Sequence, residues 1–170
     1  MSPRAKLLLV AAVCAAPVVL GTLVYVSGWT VGNPGNYGEL LPPRALAGAP
    51  LEALRGKWVL VSFDAAACDA YCEKKLYFMR QARRAQGKEM ERMERLWVVT
   101  DGGKPRPEVL AAIEGTRLTS FRFEGFPGNT RDHIYLVDPL GNLMMRFPRE
   151  PDPSLIIKDL KRLLKLSRIG

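Results

Sequence analysis

The sequence predicts an α/β domain, a central mixed sheet with flanking helices, preceded by one membrane-spanning helix. Three observations support this prediction. A stretch without charged side chains, residues 7–27, is long enough to cross a bilayer. Two short apolar runs enclose an amphipathic stretch, which is typical of a β-α-β unit in a mainly parallel sheet. Two later apolar runs flank a short turn, which predicts an antiparallel hairpin.

The composition excludes several classes of protein. The chain has 170 residues, of which 48% are hydrophobic and 25% charged, with 15 Gly and 13 Pro. It is therefore neither a low-complexity segment nor a fibrous repeat, and it holds about one domain. The formal net charge of +8 suits a place near anionic lipid or an acidic partner. Because no basic run is interleaved with aromatic residues, we expect no nucleic-acid binding.

The apolar stretch 7–27 predicts an uncleaved anchor, because a helix needs roughly 20 residues to cross the hydrocarbon core. A cleaved signal peptide, the alternative, has a shorter apolar region and a small-residue cleavage site, which this segment does not match well. Arg4 and Lys6 precede the stretch and favour a cytoplasmic N-terminus, residues 1–6. We therefore expect a single-pass protein of the inner (cytoplasmic) membrane, with its soluble domain on the outer, periplasmic-type side.

Residues 28–50 are rich in Gly, Pro and Asn, and this composition predicts a linker. The domain is then expected to span residues 51–170. Its predicted order is β-α-β-α-β-β-α, with a long loop from Gly115 to Asp132. The expected elements are strands at 58–63 and 96–100 with a helix between them, a weaker helix at 107–115, hairpin strands at 133–138 and 143–147, and a final helix after Asp152.

Cys68 and Cys72 lie where the first predicted strand of the domain passes into its helix. This order of elements, with paired cysteines at that junction, is the thioredoxin-like arrangement. The N-terminus of a helix favours a thiolate, so we expect Cys68 to be reactive. One helical turn separates the two sulfurs, which can close a disulfide or hold one metal ion. Two soft sulfurs suit Cu(I), whereas a structural zinc site needs about four ligands.

Other interpretations of these residues stay open. The cysteines could form a local structural disulfide or remain as two core thiols. His133, the single histidine of the chain, begins the third predicted strand of the domain, whose end we expect near the first helix. An imidazole there would extend the copper chemistry to Cu(II). The alternative is a surface or strand-edge histidine.

The motifs resemble those of the Sco/SenC family. The resemblance is carried by Cys68-x-x-x-Cys72, by Asp132-His133 and by Asp138-Pro-Leu-Gly141. It implies a membrane-anchored, thioredoxin-like copper chaperone that assists assembly of the copper centre of cytochrome c oxidase. Copper, as Cu(I) or Cu(II), would be held by Cys68, Cys72 and His133. The implied partner is an oxidase subunit or another copper or thiol protein.

The chain departs from the Sco/SenC pattern in two ways. The segment between the cysteines has no proline, and the interval from His133 to Pro139 is shorter than in the family. The shorter interval could turn the imidazole away from the thiols.

Two functional alternatives to a non-enzymatic metallochaperone remain. The first is a thiol–disulfide oxidoreductase that keeps acceptor cysteines reduced, with Cys68 attacking and Cys72 resolving. The second is a non-catalytic assembly factor that uses the pair only as a structural disulfide.

Overall fold

The computed structural model describes residues 2–27 and 35–170, and these residues fall into two units. The first unit contains helix α1, Pro3–Ser27, of 25 residues. Its mean hydropathy of 2.6 and its length are sufficient for crossing a membrane. The predicted N-terminal apolar helix is therefore confirmed. Pro17 lies inside α1, as is tolerated in membrane helices.

The second unit is built on a six-stranded mixed sheet with strand order β1-β6-β5-β2-β3-β4. The strands are β1 Glu39–Ala45, β2 Trp58–Asp64, β3 Met93–Val99, β4 Arg117–Thr119, β5 Ile134–Val137 and β6 Asn142–Arg146. The helices are α2 Ala49–Glu52, α3 Ala70–Arg84, α4 Pro107–Ala112 and α5 Pro153–Leu166, with 3₁₀ turns at Gly87–Arg92 and Thr130–Asp132.

The strand directions confirm the predicted mixed sheet. Strand β3 pairs in parallel with β2 and β4, and β5 is antiparallel to β2. Strands β5 and β6 form the predicted antiparallel hairpin, and β6 also pairs with β1. The β2-α3-β3 unit therefore lies beside the hairpin in one sheet.

The two faces of the sheet carry separate apolar clusters. On the face that we call the helix face, α3 and α5 pack over β-strand residues such as Leu60, Trp97 and Ile134. On the face that we call the loop face, Val61 and Tyr135 pack with side chains from the loops. Successive strand residues point to opposite faces, so the position of a residue in its strand tells which cluster it joins.

Helix α5 begins as its sequence predicts. The side chain of Asp152 accepts a hydrogen bond from the Ser154 N–H at 2.7 Å, and Pro153 occupies the first turn. Ile156, Leu160 and Leu164 are buried on one side of the helix against the helix face.

The structure differs from the predicted linker at Glu39–Ala45, which form β1. The side chains of β1 are mostly exposed, and Pro42 and Pro43 interrupt its register with β6. Such an edge strand is held by backbone pairing and carries no apolar pattern for a sequence to reveal. Residues 28–34 of the predicted linker lie outside the described residues.

A second difference concerns the predicted loop from Gly115 to Asp132. Three of its residues, Arg117–Thr119, form strand β4 at the other edge of the sheet, where they pair with β3. A strand of three residues is too short to show a periodicity. Helix α4 also ends at Ala112, before the predicted Gly115.

Candidate thiol and metal site

The structure brings the two predicted sulfur ligands together. Cys68 lies in the loop between β2 and α3, and Cys72 lies in the first turn of α3. They form a disulfide with an S–S distance of 1.97 Å. The two residues are only 2% and 1% exposed and belong to the cluster on the helix face. The candidate site is therefore a buried pair of sulfurs at the junction of β2 and α3.

Asp69 fixes the start of α3 between the cysteines. Its side chain accepts a hydrogen bond from the Cys72 N–H at 3.0 Å and pairs with the Arg131 guanidinium. The hydrogen bond from Cys72, helped by the charge of Arg131, lowers the pKa of Asp69 against the smaller opposing effect of burial. Asp69 thus acts as a helix cap, and its ion pair also connects α3 to the 3₁₀ turn before His133.

The loop that leads to Cys68 is held from a neighbouring strand end. Asp101, which follows β3, accepts hydrogen bonds from the N–H groups of Ala66 and Gly103 at 3.0 and 3.1 Å. These bonds lower the pKa of Asp101. Cys68 itself has a φ of 42°, in the left-handed region that residues other than glycine seldom adopt. Asp101 therefore holds the loop at Ala66, two residues before the unfavourable backbone conformation of Cys68.

Arg106 is a site residue that the sequence analysis missed. Its Nη2 donates to the Cys68 carbonyl oxygen at 3.0 Å and to the Glu73 carboxylate at 2.6 Å. One guanidinium therefore bridges the backbone of the first cysteine and the side chain that follows the second. Arg106 lies 38 residues after Cys68, and no local spacing indicates such a contact.

A buried ion pair lies on the same face of the sheet as the cysteines. Lys75 Nζ contacts Asp64 Oδ2 at 2.8 Å, and the two side chains are 1% and 2% exposed. The Ser62 hydroxyl donates to Asp64 at 2.7 Å, and Lys75 also donates to the Arg131 carbonyl. Burial raises the pKa of Asp64 and lowers the pKa of Lys75, while each partner opposes the shift of the other.

This ion pair was also missed by the sequence analysis. Lys75 lies three residues after Cys72, so the two residues share one side of α3. Through the Arg131 carbonyl, Lys75 joins α3 to the turn before His133. The one local signal was Asp64, which ends an otherwise apolar run.

His133 is not brought to the sulfur pair. It directly precedes β5, and its Nδ1 donates to the Phe147 carbonyl oxygen at 2.8 Å. Its ring packs edge-on against Tyr135, with 5.8 Å between ring centroids. Tyr135 lies on the loop face and Ile134 lies on the helix face with the cysteines. Side chains two residues apart in an extended chain point to the same face of the sheet, so His133 points the same way as Tyr135. Its imidazole is therefore on the face opposite the disulfide.

In this structure the imidazole and the two sulfurs therefore lie on opposite faces of the sheet, and the three-ligand set stays a prediction. Among the described residues, no group of three or more His, Cys, Asp or Glu side chains is placed to hold a metal ion. The imidazole is held there by the hydrogen bond from its Nδ1 to the carbonyl oxygen of Phe147, the residue that follows β6. Among the described residues, the sulfurs of Cys68 and Cys72 are the donors that the structure brings together.

Residues 58–167 match the model of the transmembrane-like, thioredoxin-like, C-terminal domain family. The chain belongs to this family. The match spans β2 to α5 and so includes both cysteines and the hairpin. No curated protein matches this thioredoxin-like chain.

Several solved structures share the fold of this thioredoxin-like protein. Copper-bound Sco1 from yeast has a TM-score of 0.55 and 16% identity, over 80% of this chain and 96% of the yeast chain. Apo Sco1 from Thermus thermophilus has a TM-score of 0.52 and 20% identity, over 76% and 95% of the two chains. Copper-bound ScoI from Bradyrhizobium japonicum has a TM-score of 0.50 and 20% identity, over 73% and 99%. The resemblance to Sco/SenC proteins is thus confirmed at the level of the fold.

Proposed function

We propose that this protein is a membrane-tethered copper-binding chaperone that assists assembly of the copper centre of cytochrome c oxidase. The observation that carries the proposal is the sulfur pair Cys68–Cys72, held together and buried at the start of α3. Sco proteins of the same fold have been solved with copper bound, from yeast and from Bradyrhizobium japonicum. The oxidase as acceptor follows from the resemblance to the Sco/SenC family, and another copper or thiol protein is the alternative partner.

The donor set fits copper as cargo. Two thiolates from one turn are soft ligands that select Cu(I) over harder cations. The disulfide must first take up two electrons and two protons, which a thiol donor supplies as it is oxidised to its own disulfide. Copper would then be taken up with loss of the thiol protons and passed to an acceptor by exchange of ligands.

Helix α1 supports the proposed placement of the protein. Its length and apolar composition support a single-pass anchor. Arg4 and Lys6 lie in the first turn of α1 and favour a cytoplasmic N-terminus. We place the sheet domain on the outer, periplasmic-type side of the inner membrane, where a copper acceptor of a respiratory oxidase would be accessible.

Copper stoichiometry of variants tests the proposal. The full chain in detergent, reduced and kept anaerobic, is loaded with Cu(I) and desalted, and copper per chain is measured. We expect one copper in the parent protein and loss of copper in Cys68→Ser and in Cys72→Ser. Cys14→Ser, which removes the free cysteine of α1, is the matched control and should retain copper. The proposal fails if the parent chain binds no copper while its circular dichroism shows an intact fold, or if both single variants bind as the parent does.

His133→Ala separates two versions of the site. Because the imidazole lies on the other face of the sheet, we expect His133→Ala to retain the copper of the parent chain. Loss of copper in this variant, with the fold intact, would instead show that the histidine moves to complete the predicted three-ligand set.

A second candidate function is a thiol–disulfide oxidoreductase, and the orientation of His133 favours it. With the imidazole turned away, the site seen among the described residues is the Cys68–Cys72 disulfide, which becomes a dithiol on reduction. In this reaction the Cys68 thiolate attacks a disulfide of the acceptor and releases one acceptor thiolate. Cys72 then attacks the mixed disulfide and releases the second, so that two electrons reach the acceptor and the Cys68–Cys72 disulfide forms.

Trapping distinguishes this second function. Cys72→Ser cannot resolve a mixed disulfide, so adducts through Cys68 should accumulate with periplasmic thiol proteins. Cys68→Ser is the matched control and should form fewer adducts. Absence of adducts in Cys72→Ser, with an unchanged redox state of acceptor cysteines, would exclude the oxidoreductase.

A further inference from the structure

Arg95 is a charged side chain buried away from the cysteine site. It lies on β3, is 3% exposed, and shares the helix face with Met93 and Trp97. Its Nη2 donates to the Glu114 carbonyl oxygen at 2.7 Å. Within the described chain, its Nε and Nη1 are buried and have no hydrogen-bond partner. Three of the five N–H bonds of this guanidinium are on those two nitrogens.

Three more arginines come to the same place from α3. Arg80, Arg83 and Arg84 are spaced three and four residues apart, so they lie along one side of the helix. Arg80 Nη1 donates to the Ala112 carbonyl oxygen at 3.0 Å, two residues before the acceptor of Arg95. Arg83 Nε donates to the carbonyl oxygen of Met93 at 2.7 Å, two residues before Arg95 on β3.

Further unpartnered polar atoms accompany Arg95. Among the described residues, Arg80 Nε and Thr116 Oγ1 are also buried without a hydrogen-bond partner. Thr116 follows the turn whose carbonyls hold Arg80 and Arg95. We call Arg80, Arg83, Arg84 and Arg95 the arginine cluster. Arg95 is buried, Arg80 and Arg83 are half-buried and Arg84 is exposed, so the cluster runs from the interior to solvent.

The arginine cluster lacks ion pairs in the described part of the chain. No ion pair found there includes any of its four members. Glu94 interacts electrostatically with Arg95, but its carboxylate forms an ion pair with Arg117 at 3.7 Å. Burial, followed by the charges of Arg83, Arg80 and Arg84, lowers the pKa of Arg95 to about 10. Arg95 is therefore still a cation at neutral pH.

A buried cation without a counter-ion is unfavourable, because its desolvation is not offset by attraction to an opposite charge. Guanidinium groups with free N–H donors are the groups that recognise phosphate and related oxyanions in proteins. We propose that the arginine cluster, with the Thr116 hydroxyl, is a binding site for a phosphate-type oxyanion. The site goes beyond the proposed copper or thiol function and does not depend on it.

The ligand is defined by its chemistry. An oxyanion with several oxygens on one central atom can accept hydrogen bonds from more than one guanidinium group. Its negative charge offsets the electrostatic repulsion between the arginines of the cluster. Either the phosphate of an anionic phospholipid headgroup or free inorganic phosphate carries these features. Exposed Arg84 is the member nearest to solvent and would meet the ligand first.

The test is a titration of the full chain in neutral detergent and chloride buffer with inorganic phosphate. Binding is observed by phosphorus NMR, and the thermal unfolding midpoint is measured in parallel, because a ligand of the native state raises it. We expect a saturable rise in the midpoint for the parent chain, reproduced by sulfate but not by further chloride. No saturable binding and no rise would overturn the proposal.

Variants locate the ligand. Arg95→Met should abolish the phosphate-dependent rise, and Arg84→Met should weaken phosphate binding several-fold. Arg122→Met, which removes an exposed arginine outside the cluster, is the matched control and should leave binding unchanged. Since loss of Arg95 could impair folding, exposed Arg84 provides the independent result. Full phosphate binding by Arg84→Met, or equal loss in Arg122→Met, would overturn the assignment.

A short-chain, water-soluble phosphatidylglycerol distinguishes the two sources of phosphate. If it raises the unfolding midpoint through the same arginines, the site accepts a lipid headgroup. If only inorganic phosphate does so, the site takes a free anion. Both results support the oxyanion site, and an effect of the lipid that persists in Arg95→Met and Arg84→Met counts against it.

Discussion

At the scale of single residues, the candidate site depends on polar groups that hold the backbone around the cysteines. Asp101 tethers the loop before Cys68, Asp69 caps α3, and Arg106 binds the Cys68 carbonyl. Of these, Asp69 acts locally, as the cap at the start of its own helix. Asp101 and Arg106 act across the fold, so their contacts follow from the tertiary structure and not from any local spacing.

Asp101 predicts a pH-dependent contribution to stability. Its pKa is lowered from 3.8 by hydrogen bonds from Ala66 and Gly103. A lowered pKa in the folded state means that the contribution is present above the unfolded pKa and is lost as pH falls through the folded value. Asp101→Asn keeps an acceptor oxygen and removes the charge. We expect parent and variant to differ in urea midpoint above about pH 5, and to converge below the folded pKa.

The control for this experiment is Glu124→Gln, which removes an exposed carboxylate elsewhere. It should leave the pH profile of the urea midpoint unchanged. A difference between the parent chain and Asp101→Asn that is constant down to strongly acidic pH would contradict the role of Asp101.

The buried pair Asp64–Lys75 predicts a strongly non-additive result. Lys75→Met leaves the Asp64 carboxylate buried without its cation, which typically costs about 3–5 kcal/mol of unfolding free energy. Removal of both charges in Asp64→Leu/Lys75→Met should recover much of that loss, since an apolar pair of similar volume is often tolerated. Denaturant unfolding of the four proteins in the cycle measures the coupling. Additive losses would show that the two side chains do not act as a pair.

At the scale of elements, the edge strand β1 is held by a contact that sequence patterns do not reveal. The Asp159 carboxylate of α5 accepts hydrogen bonds from the N–H groups of Tyr37 and Gly38, each at 2.8 Å. These residues lie directly before β1, so α5 fixes the point at which the chain enters the sheet. The sequence does not indicate this strand because its exposed, proline-containing residues carry no apolar period.

Asp159→Ala should loosen β1 selectively. Two backbone N–H groups lose a charged acceptor, and a loss of about 2–4 kcal/mol in unfolding free energy is expected from hydrogen bonds of this kind. Hydrogen exchange should rise first in Glu39–Ala45 and in the paired residues of β6. Lys158→Ala, at the neighbouring exposed position, is the matched control. Unchanged exchange in β1 would contradict this role for Asp159.

The elements that the sequence did predict have strong local signals. Strand β2 and the later part of β3, from Leu96 to Val99, are buried and form nearly continuous apolar runs. Helix α5 combines a cap, a first-turn proline and an apolar stripe. The arginine cluster has no such local signal. Arg95 is a charged residue in a mostly apolar strand, and the other three arginines come from α3.

At the scale of the whole molecule, the sequence predicted an apolar N-terminal helix and a thioredoxin-like domain, and both are confirmed. The sulfur pair of the candidate site was also predictable, because one turn of helix brings the two cysteines together. The position of His133 was not, since it depends on which face of the sheet the residue takes at the start of β5. A shift of one residue in that register would have placed the imidazole on the side of the cysteines.

We propose that the reduced sulfur pair is a copper site and that the disulfide is its oxidised, copper-free form. The most direct measurement is the Cu(I) retained by the full chain against a competing chelator, in the dithiol and in the disulfide state of the same preparation. We predict one Cu(I) per chain in the dithiol state and none in the disulfide state. Equal copper in the two states, or none in a folded dithiol protein, would contradict the claim.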